Sequence, residues 1–124
     1  IQLSYIGYLG SMGADYYERA LQLIAEKAGT CVVCVFTDDP VWVRSNLSLP
    51  SDARFVSEHT KSAMEDLMLM SRCSHHITAN SSFSWWGAWL NPSEHKVVVS
   101  PARWFQPDSG IDARDLRPQG WLQA

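Results

Sequence analysis

The sequence predicts an α/β fold: a Rossmann-like parallel sheet with helices on both faces. Two observations support this prediction. Short apolar segments of strand length alternate with amphipathic segments of helical length, and small polar residues follow the predicted strands. Strands and helices that alternate in this order form βαβ units, in which the strands are parallel. The chain has 124 residues, so residues 1–124 fit a single domain.

The first predicted helix lies near the amino terminus. Residues 1–14 contain three glycines and scattered aromatic residues, and we expect a short strand around residues 3–9. Asp15 and Glu18 have the spacing of a capping box, which satisfies free amide groups at the start of a helix. Apolar residues then recur at helical spacing up to Gly29, so this segment predicts an amphipathic helix.

A buried strand and a short helix follow. Residues 31–37 are apolar almost throughout and rich in β-branched side chains, which is typical of a strand covered on both faces. Asp39 is placed to cap a helix that has Pro40 at its first position, where proline is favoured. Residues 54–57 predict another short strand.

The next helix and strand have equally local signals. Ser62 and Glu65 form a second capping box, which predicts a helix that runs to about Arg72. Residues 75–79 follow this helix and predict a strand.

The last predicted units place polar residues at one edge of the sheet. Residues 80–82 are small and polar and precede an apolar helical segment at residues 83–90, which Asn91 and Pro92 end. Residues 96–100 predict the last strand. Ligands of such sheets bind beyond the carboxyl ends of the strands. The segments expected at this edge are residues 37–39, the segment after residue 57, residues 80–84 and residues 101–105.

The charge of the chain argues against a polyanionic partner. Its formal net charge is -3, whereas surfaces that bind phosphate backbones carry clustered Lys and Arg. We therefore expect no nucleic acid partner. The longest apolar run, residues 31–36, is far shorter than the roughly 20 residues of a membrane-spanning helix, so we expect this part of the protein to be soluble.

Two pairs of residues resemble metal ligands but are expected to be structural. Cys31 and Cys34 lie three apart on a predicted strand, so their thiols face opposite sides and cannot share an ion. His75 and His76 are adjacent on another strand and diverge in the same way. We therefore predict no metal site, and we interpret the cysteines as buried small apolar residues.

Small polar residues before the last helix and a pair of aspartates are the candidates for ligand binding. Asn80, Ser81 and Ser82 lie where a strand meets a helix, so amide groups, hydroxyls and the helix dipole converge there. They can bind a phosphate or only cap the helix. Asp38 and Asp39 can hold a metal, bond a ribose, orient an arginine or cap the next helix.

The last predicted helix is apolar around most of its circumference. Trp85, Trp86 and Trp89 can form a platform that stacks on sugars, but spacing of three and four residues is more typical of packing against the sheet or a neighbouring domain. Any aromatic surface left uncovered, together with Trp104 and Phe105, is expected to support self-association. Three methionines are expected to fill the core: Met64, Met68 and Met70.

Four sequence blocks, taken together and in order, resemble inverting α-1,2-fucosyltransferases. Two further segments are similar to regions that flank these blocks in that family, so the resemblance covers residues 15–121. The block at residues 76–91 is the most specific. The four blocks are FTDD at residues 36–39, MEDLMLMSRC at 64–73, HITANSSFSWWGAWLN at 76–91 and Pro101 with Trp104 and Phe105; the flanking segments are DYYERAL at 15–21 and DLRPQGW at 115–121.

The resemblance implies a fold and a donor substrate. More distant similarity to core α-1,6-fucosyltransferases and protein O-fucosyltransferases implies the donor-binding half of a GT-B glycosyltransferase, with GDP-fucose as the donor. Asp66 matches a carboxylate that pairs with the guanine edge, whose N1–H and 2-amino group suit two carboxylate oxygens. Ser81, Ser82 and Phe83 match the segment that receives the diphosphate.

The resemblance also exposes a departure. Asp38 and Asp39 match an acidic pair that holds a phosphate-binding arginine in the family. That arginine belongs to a His-x-Arg-Arg-Gly-Asp-type segment before the first helix, but residues 1–14 contain no Arg, Lys or His. The catalytic residues are therefore not identified, and the acceptor-binding domain has no counterpart here. We expect the chain, which begins at Ile1, to be an incomplete fragment without transfer activity.

The resemblance implies that the parent protein transfers L-fucose with inversion to the 2-hydroxyl of a galactoside, without a cofactor or an obligatory metal. Its partners are then GDP-fucose and a galactose-containing acceptor glycan. The alternatives are a non-catalytic module that binds GDP or a nucleotide sugar, and a flavodoxin-like interaction domain without nucleotide. A bacterial cytoplasmic or membrane-associated location is favoured, with the Golgi membrane as the alternative.

Overall fold

The structure, a computed structural model, confirms the predicted parallel α/β architecture. It describes residues 12–102, 118 and 120–124, and residues 3–6 as backbone. Trp104 and Phe105 lie outside the described residues. Within this part of the chain, no helix has the length and apolar character needed to cross a membrane.

Six parallel strands form one sheet in the order β3-β2-β1-β4-β5-β6. β1 lies inside the sheet, with β2 on one side and β4 on the other. Its Ser4 is in register with Val33 of β2 and with His75 of β4. The two-residue strand β6 was not predicted from the sequence. The strands are β1 Leu3–Ile6, β2 Val32–Val35, β3 Arg54–Phe55, β4 His75–Ile77, β5 Val98–Ser100 and β6 Leu122–Gln123.

Among the described residues, four α-helices lie between β1 and β5. A single turn of 3₁₀ helix at Val56–Glu58 follows β3, where the sequence predicted that the strand would continue. Its tighter backbone turns the chain towards the next helix. The helices are α1 Ala14–Ala28, α2 Pro40–Asn46, α3 Ala63–Ser71 and α4 Ser82–Trp89.

The cap of α1 differs from the prediction. Gly13 is its N-cap and provides no side-chain hydrogen bond, while Asp15 lies inside the first turn. The predicted capping box of Asp15 and Glu18 is therefore wrong. A carboxylate in the first turn still interacts favourably with the positive end of the helix dipole. At the other end, Gly29 adopts a φ of 81°, which glycine tolerates without strain.

The other predicted caps are confirmed. The Asp39 carboxylate accepts a hydrogen bond from the amide of Trp42 at 3.1 Å, with Pro40 at the start of α2. The hydroxyl of Ser62 accepts one from the amide of Glu65 at 3.2 Å. The Glu65 carboxylate reaches back one residue further than in a capping box, to the amide of Lys61. These bonds set the start of α2 and α3.

The two faces of the sheet carry separate cores. On one face, α1 and α2 cover Val33 and Val35 of β2. On the other face, Met70 of α3 packs with Cys34, Phe36 and Cys73. The alternation of side chains along β2 produces this division, because successive residues of a strand point to opposite faces. Cys31 packs on the α1 side and Cys34 on the α3 side, so the predicted divergence of the two thiols is confirmed.

A matched pair of buried tyrosines on α1 provides a test of this core. The Tyr16 hydroxyl donates to the carbonyl of Thr78, while the buried Tyr17 hydroxyl makes no hydrogen bond within the described residues. We expect Tyr16→Phe to lower the free energy of unfolding by about 1 kcal/mol, the usual net value of one hydrogen bond. Tyr17→Phe is expected to be neutral or stabilising, because it removes an unsatisfied buried group.

Urea unfolding of the two variants measures this difference. Equal losses of stability in both variants, or a larger loss for Tyr17→Phe, would contradict the assignment of the hydrogen bond to Tyr16.

Candidate functional site

The strand order reverses between β1 and β4. From β1 the chain adds β2 and β3 on one side, and β4, β5 and β6 on the other. In open α/β sheets, the crevice beyond the carboxyl ends of the two strands at such a point is the usual ligand site. Residues 7–11, which follow β1, lie outside the described residues. The described part of this crevice is therefore formed by the segments after β4, β2 and β3.

The turn between β4 and α4 is held by serine hydroxyls. Ser81 is the N-cap of α4, and its hydroxyl accepts from the amide of Ser84. The buried hydroxyl of Ser84 donates to the carbonyl of Ala79 at 3.3 Å and accepts from the Ala79 amide at 3.1 Å. This closed set of bonds holds the backbone at Asn80 and Ser81 against the end of β4. Capping by Ser81 thus confirms one of the two roles that the sequence left open.

Ser82, the first residue of α4, has an amide and a hydroxyl that can bind a ligand. Ser82 is exposed, and neither its amide nor its hydroxyl bonds to any described residue. Phe83 is partly buried and packs against the core under α3 and α4, so it anchors the turn. Amide groups at the start of a helix attract anions, because they lack carbonyl partners and lie at the positive end of the dipole. Ser82 is therefore the described group best placed to meet a phosphate.

Asp66, in the first turn of α3, is the centre of a second hydrogen-bond network. Its side chain is only 3% exposed. One carboxylate oxygen accepts from the Ser57 hydroxyl at 3.0 Å, and the other accepts from the Thr60 hydroxyl at 2.5 Å. The amide of Thr37, at the end of β2, donates to the same Ser57 hydroxyl at 3.1 Å. Asp66 thus ties together the segments that follow β2 and β3.

This network changes what binding to Asp66 requires. The family resemblance implied an aspartate that pairs with the guanine edge, but it did not indicate the two hydroxyl partners Ser57 and Thr60. A carboxylate oxygen can accept more than one hydrogen bond. A guanine edge that reaches Asp66 must therefore share its oxygens with these hydroxyls or displace them. The polar segment directly before α3 was the available signal for such partners.

The two aspartates after β2 differ in their surroundings. The Asp39 carboxylate caps α2, and its own amide donates to the Thr37 hydroxyl at 2.9 Å. Asp38 is exposed, and its carboxylate contacts no other part of the chain that the structure describes. Asp38 is therefore the member of the pair with a carboxylate available to a ligand or to a cation from elsewhere.

The strand that ends at this site, β4, contains a buried histidine. His76 is fully buried, and its Nε2 lies 2.8 Å from the side-chain nitrogen of Asn91. The Asn91 NH₂ group also donates to the carbonyl of Cys73 at 2.7 Å, so Nε2 of His76 is the acceptor and its ring is neutral. Burial lowers the pKa of His76 to about 3, assisted by the charge of Lys96 and by His75. The prediction that His76 is structural agrees with these contacts.

The thiols of Cys34 and Cys73 lie next to each other under α3. A hydrogen bond from Cys73 lowers the pKa of Cys34 to about 7, while donation of that bond and burial raise the pKa of Cys73. None of the three cysteines forms a disulfide bond within the described residues. Among the described residues, no three His, Cys, Asp or Glu side chains are arranged to hold a metal ion.

The tryptophans of α4 form an aromatic surface. Trp85 is partly buried and stacks on Trp89 with ring centroids 5.3 Å apart, and it also contacts Trp121 at 5.9 Å. Trp86 and Trp89 are about half exposed, at 48% and 50%. Trp89 is therefore not covered by the described sheet, and its packing against a neighbouring domain stays a prediction. Self-association through this surface stays a prediction.

The methionines of α3 were also only partly predicted. Met70 is fully buried, but Met64 and Met68 are exposed, at 64% and 50%. The prediction that all three fill the core is thus wrong for two of them. α3 has several apolar residues that are not covered by the described sheet, which a count of hydrophobic side chains cannot reveal.

Comparison with known proteins agrees with this arrangement of residues. The family model for glycosyl transferase family 11 matches residues 7–122. The chain belongs to this family. The match includes every candidate site residue after β2, β3 and β4, and it confirms the family resemblance seen in the sequence.

Two curated members of glycosyl transferase family 11 from Escherichia coli illustrate the relationship. The chain is similar to the O-antigen biosynthesis glycosyltransferase WbnK, with 41% identity over 115 residues, 91% of this chain and 37% of the relative. It is also similar to an alpha-1,2-colitosyltransferase, with 33% identity over 112 residues, 87% of this chain and 38% of the relative. The chain thus spans less than two fifths of either relative. No solved structure matched the chain.

Proposed function

We propose that this chain is the nucleotide-sugar-binding part of a glycosyltransferase that transfers L-fucose from GDP-fucose to the 2-hydroxyl of a galactoside. The observation that carries the proposal is the family match over residues 7–122. The curated relatives, named as glycosyltransferases, support the reaction class. The GT-B architecture of the whole protein, in which this sheet is the donor-binding half, is part of the same proposal.

The geometry of the carboxyl edge supports a binding mode for GDP. The amide and hydroxyl of Ser82 meet the diphosphate at the start of α4. Asp66, in the first turn of α3, accepts from the guanine edge after one of its hydroxyl partners moves. Asp38 lies after β2 and orients a cation that balances the phosphates.

The chemistry of the transfer also defines what this chain leaves to the rest of the protein. In an inverting transfer the acceptor 2-hydroxyl attacks the anomeric carbon, a C–O bond forms, and the bond to the β-phosphate oxygen breaks. Negative charge then develops on GDP, which needs a positive partner in the transition state. Residues 1–14 contain no Arg, Lys or His. We therefore infer that residues 1–14 do not supply that cation.

Calorimetric titration with GDP and ADP tests the proposal. We expect this chain to bind GDP weakly, with dissociation constants on the order of millimolar, because residues 1–14 supply no charge-assisted donor to the diphosphate. GDP should bind several-fold more tightly than ADP, and the chain alone should not turn over GDP-fucose. Equal affinity for the two nucleotides, or no binding of either, would contradict the proposed role.

Two substitutions of one residue locate the diphosphate. Ser82→Pro removes the amide donor at the first helical position, where proline is tolerated, and the N-cap Ser81 already has the extended backbone that precedes a proline. Ser82→Ala removes only the hydroxyl. We expect the proline variant to lose most of the GDP affinity at unchanged stability and the alanine variant to lose less. Wild-type affinity in both would place the diphosphate elsewhere.

A further inference from the structure

A polar cavity lies at the amino-terminal edge of the sheet, opposite the carboxyl edge described above. Its volume is about 320 Å³, within the range of small-molecule sites of roughly 300 to 1,000 Å³. The cavity lies where β4 and β5 begin, so the sheet separates it from the carboxyl edge that carries Ser82. Its lining residues include Arg72, Ser74, His75, Ser93 and His95.

His75 presents a buried donor at this cavity. Its ring nitrogen Nδ1 accepts a hydrogen bond from the amide of Val97 at 3.0 Å. In the neutral ring the proton must then lie on Nε2, which makes that nitrogen a donor. Nε2 is buried and has no hydrogen-bond partner among the described residues, while His75 as a whole is 5% exposed. A buried N–H without an acceptor is costly, so a ligand that supplies an acceptor gains affinity here.

The carbonyl groups at this edge are already satisfied. α3 and α4 both end here, and the negative end of a helix dipole would oppose an anion. Lys96, however, donates to the carbonyls of Ala88 and Asn91 at 2.9 and 2.7 Å. The Asn91 side chain donates to the carbonyl of Cys73 at 2.7 Å. The groups that remain for a ligand are therefore mainly donors.

The charged residues around the cavity agree with this polarity. The guanidinium of Arg72 is exposed and forms no ion pair with any described residue. The exposed ring of His95 adds two more nitrogen atoms at the same cavity. None of the lining residues is acidic, and Glu94, between Ser93 and His95 in the sequence, is exposed and does not line the cavity.

We propose that this cavity binds a small oxyanion of the phosphoryl type, held by the guanidinium of Arg72 and the Nε2–H of His75. Guanidinium groups bind phosphoryl oxygens through two parallel hydrogen bonds, and the imidazole N–H of His75 supplies a third donor. The site does not depend on the proposed transferase function, because none of its residues contributes to the carboxyl edge. It is a second anion site, distinct from the one assigned to Ser82.

Nuclear magnetic resonance with inorganic phosphate tests this assignment on the present chain, with chloride at equal ionic strength as the reference. We expect saturable shifts of the His75 and His95 ring signals, and an Nε2–H proton of His75 that becomes slower to exchange. Arg72→Gln should weaken phosphate binding at this site by at least about five-fold, because the charge-assisted pair is lost. Arg19→Gln, on the exposed face of α1, is the matched charge control and should bind as the wild type does.

Two results separate this site from the one at α4. Ser82→Pro should leave the phosphate shifts of His75 unchanged, and Arg72→Gln should leave GDP affinity unchanged. The proposal is overturned if phosphate produces no more change than chloride, or if Arg72→Gln and Arg19→Gln respond alike. If instead the His75 shifts disappear in Ser82→Pro, the anion binds only at the carboxyl edge and the second site does not exist.

Discussion

Lowering the pH from about 6 to about 4 is expected to reduce the free energy of unfolding by about 2 to 3 kcal/mol through His76 alone. Burial, with help from the charge of Lys96 and from His75, lowers the pKa of His76 from 6.5 to about 3. Between these two values the unfolded chain binds a proton at His76 that the folded chain does not. Stability is therefore full above pH 6.5 and is lost as the pH falls towards 3.

Replacement of this ring isolates its contribution. His76→Gln removes the titrating group and is expected to flatten the dependence of the urea midpoint on pH. The variant should also be less stable than the wild type at neutral pH, because the hydrogen bond between Asn91 and the His76 ring is lost. His59→Gln is the matched control, because the ring of His59 is exposed. A wild-type slope in His76→Gln would show that other groups cause the acid sensitivity.

If His76→Gln does not fold, a titration of the wild type gives the same information. The Cε1–H signal of His76 should keep its neutral position until the protein unfolds, whereas protonation of His76 in the folded state near pH 6 would contradict the expectation.

Asp66→Asn is expected to produce two effects at once. The carboxylate accepts from the Ser57 and Thr60 hydroxyls, so its conversion to an amide should lower the free energy of unfolding by about 1.5 to 3 kcal/mol. Guanine presents two adjacent donors, and a single amide oxygen can accept only poorly from both. The preference for GDP over ADP should therefore disappear as well. Urea unfolding and calorimetric titration measure the two effects separately.

The hydroxyl partners of Asp66 provide the control. Ser57→Ala and Thr60→Val remove one donor each and leave the carboxylate in place. We expect both variants to lose stability but to retain the preference for GDP, and Thr60→Val to make the Asp66 oxygen easier to reach. If Asp66→Asn and these variants change stability alike while nucleotide preference is untouched in all of them, Asp66 is purely a structural residue.

Local signals in the sequence predicted most of the fold. The apolar run of β2 and the caps by Asp39, Ser62 and Ser81 depend on near neighbours, and the structure confirms them. The short strand β6 has no such signal, because two residues carry no periodicity. Gly13 caps α1 without any side chain, so the acidic residue after it was mistaken for the cap.

Exposure and long-range partners were harder to predict. The exposure of Met64 and Met68 depends on where α3 lies relative to the sheet, which hydrophobicity does not specify. The bonds that join Asp66 to Ser57 and Thr60 depend on how the 3₁₀ turn after β3 returns the chain to α3. Hydrophobic pattern and secondary-structure propensity depend on neighbouring residues in the sequence. The exposure of α3 and the hydrogen bonds of Asp66 depend instead on tertiary packing.

The position of β1 at the centre of the sheet sets an order in which the protein can fold during synthesis. Of the six described strands, β1 leaves the ribosome first, and it pairs early with β2. Its other edge stays open until His75 and the residues after it have emerged, because Ser4 pairs with His75. Pairing across such a separation is slow, and an open strand edge is prone to association. A nascent chain halted before β4 should therefore hold three of the described strands, β1, β2 and β3, with one edge of β1 unpaired in this sheet, and be prone to association.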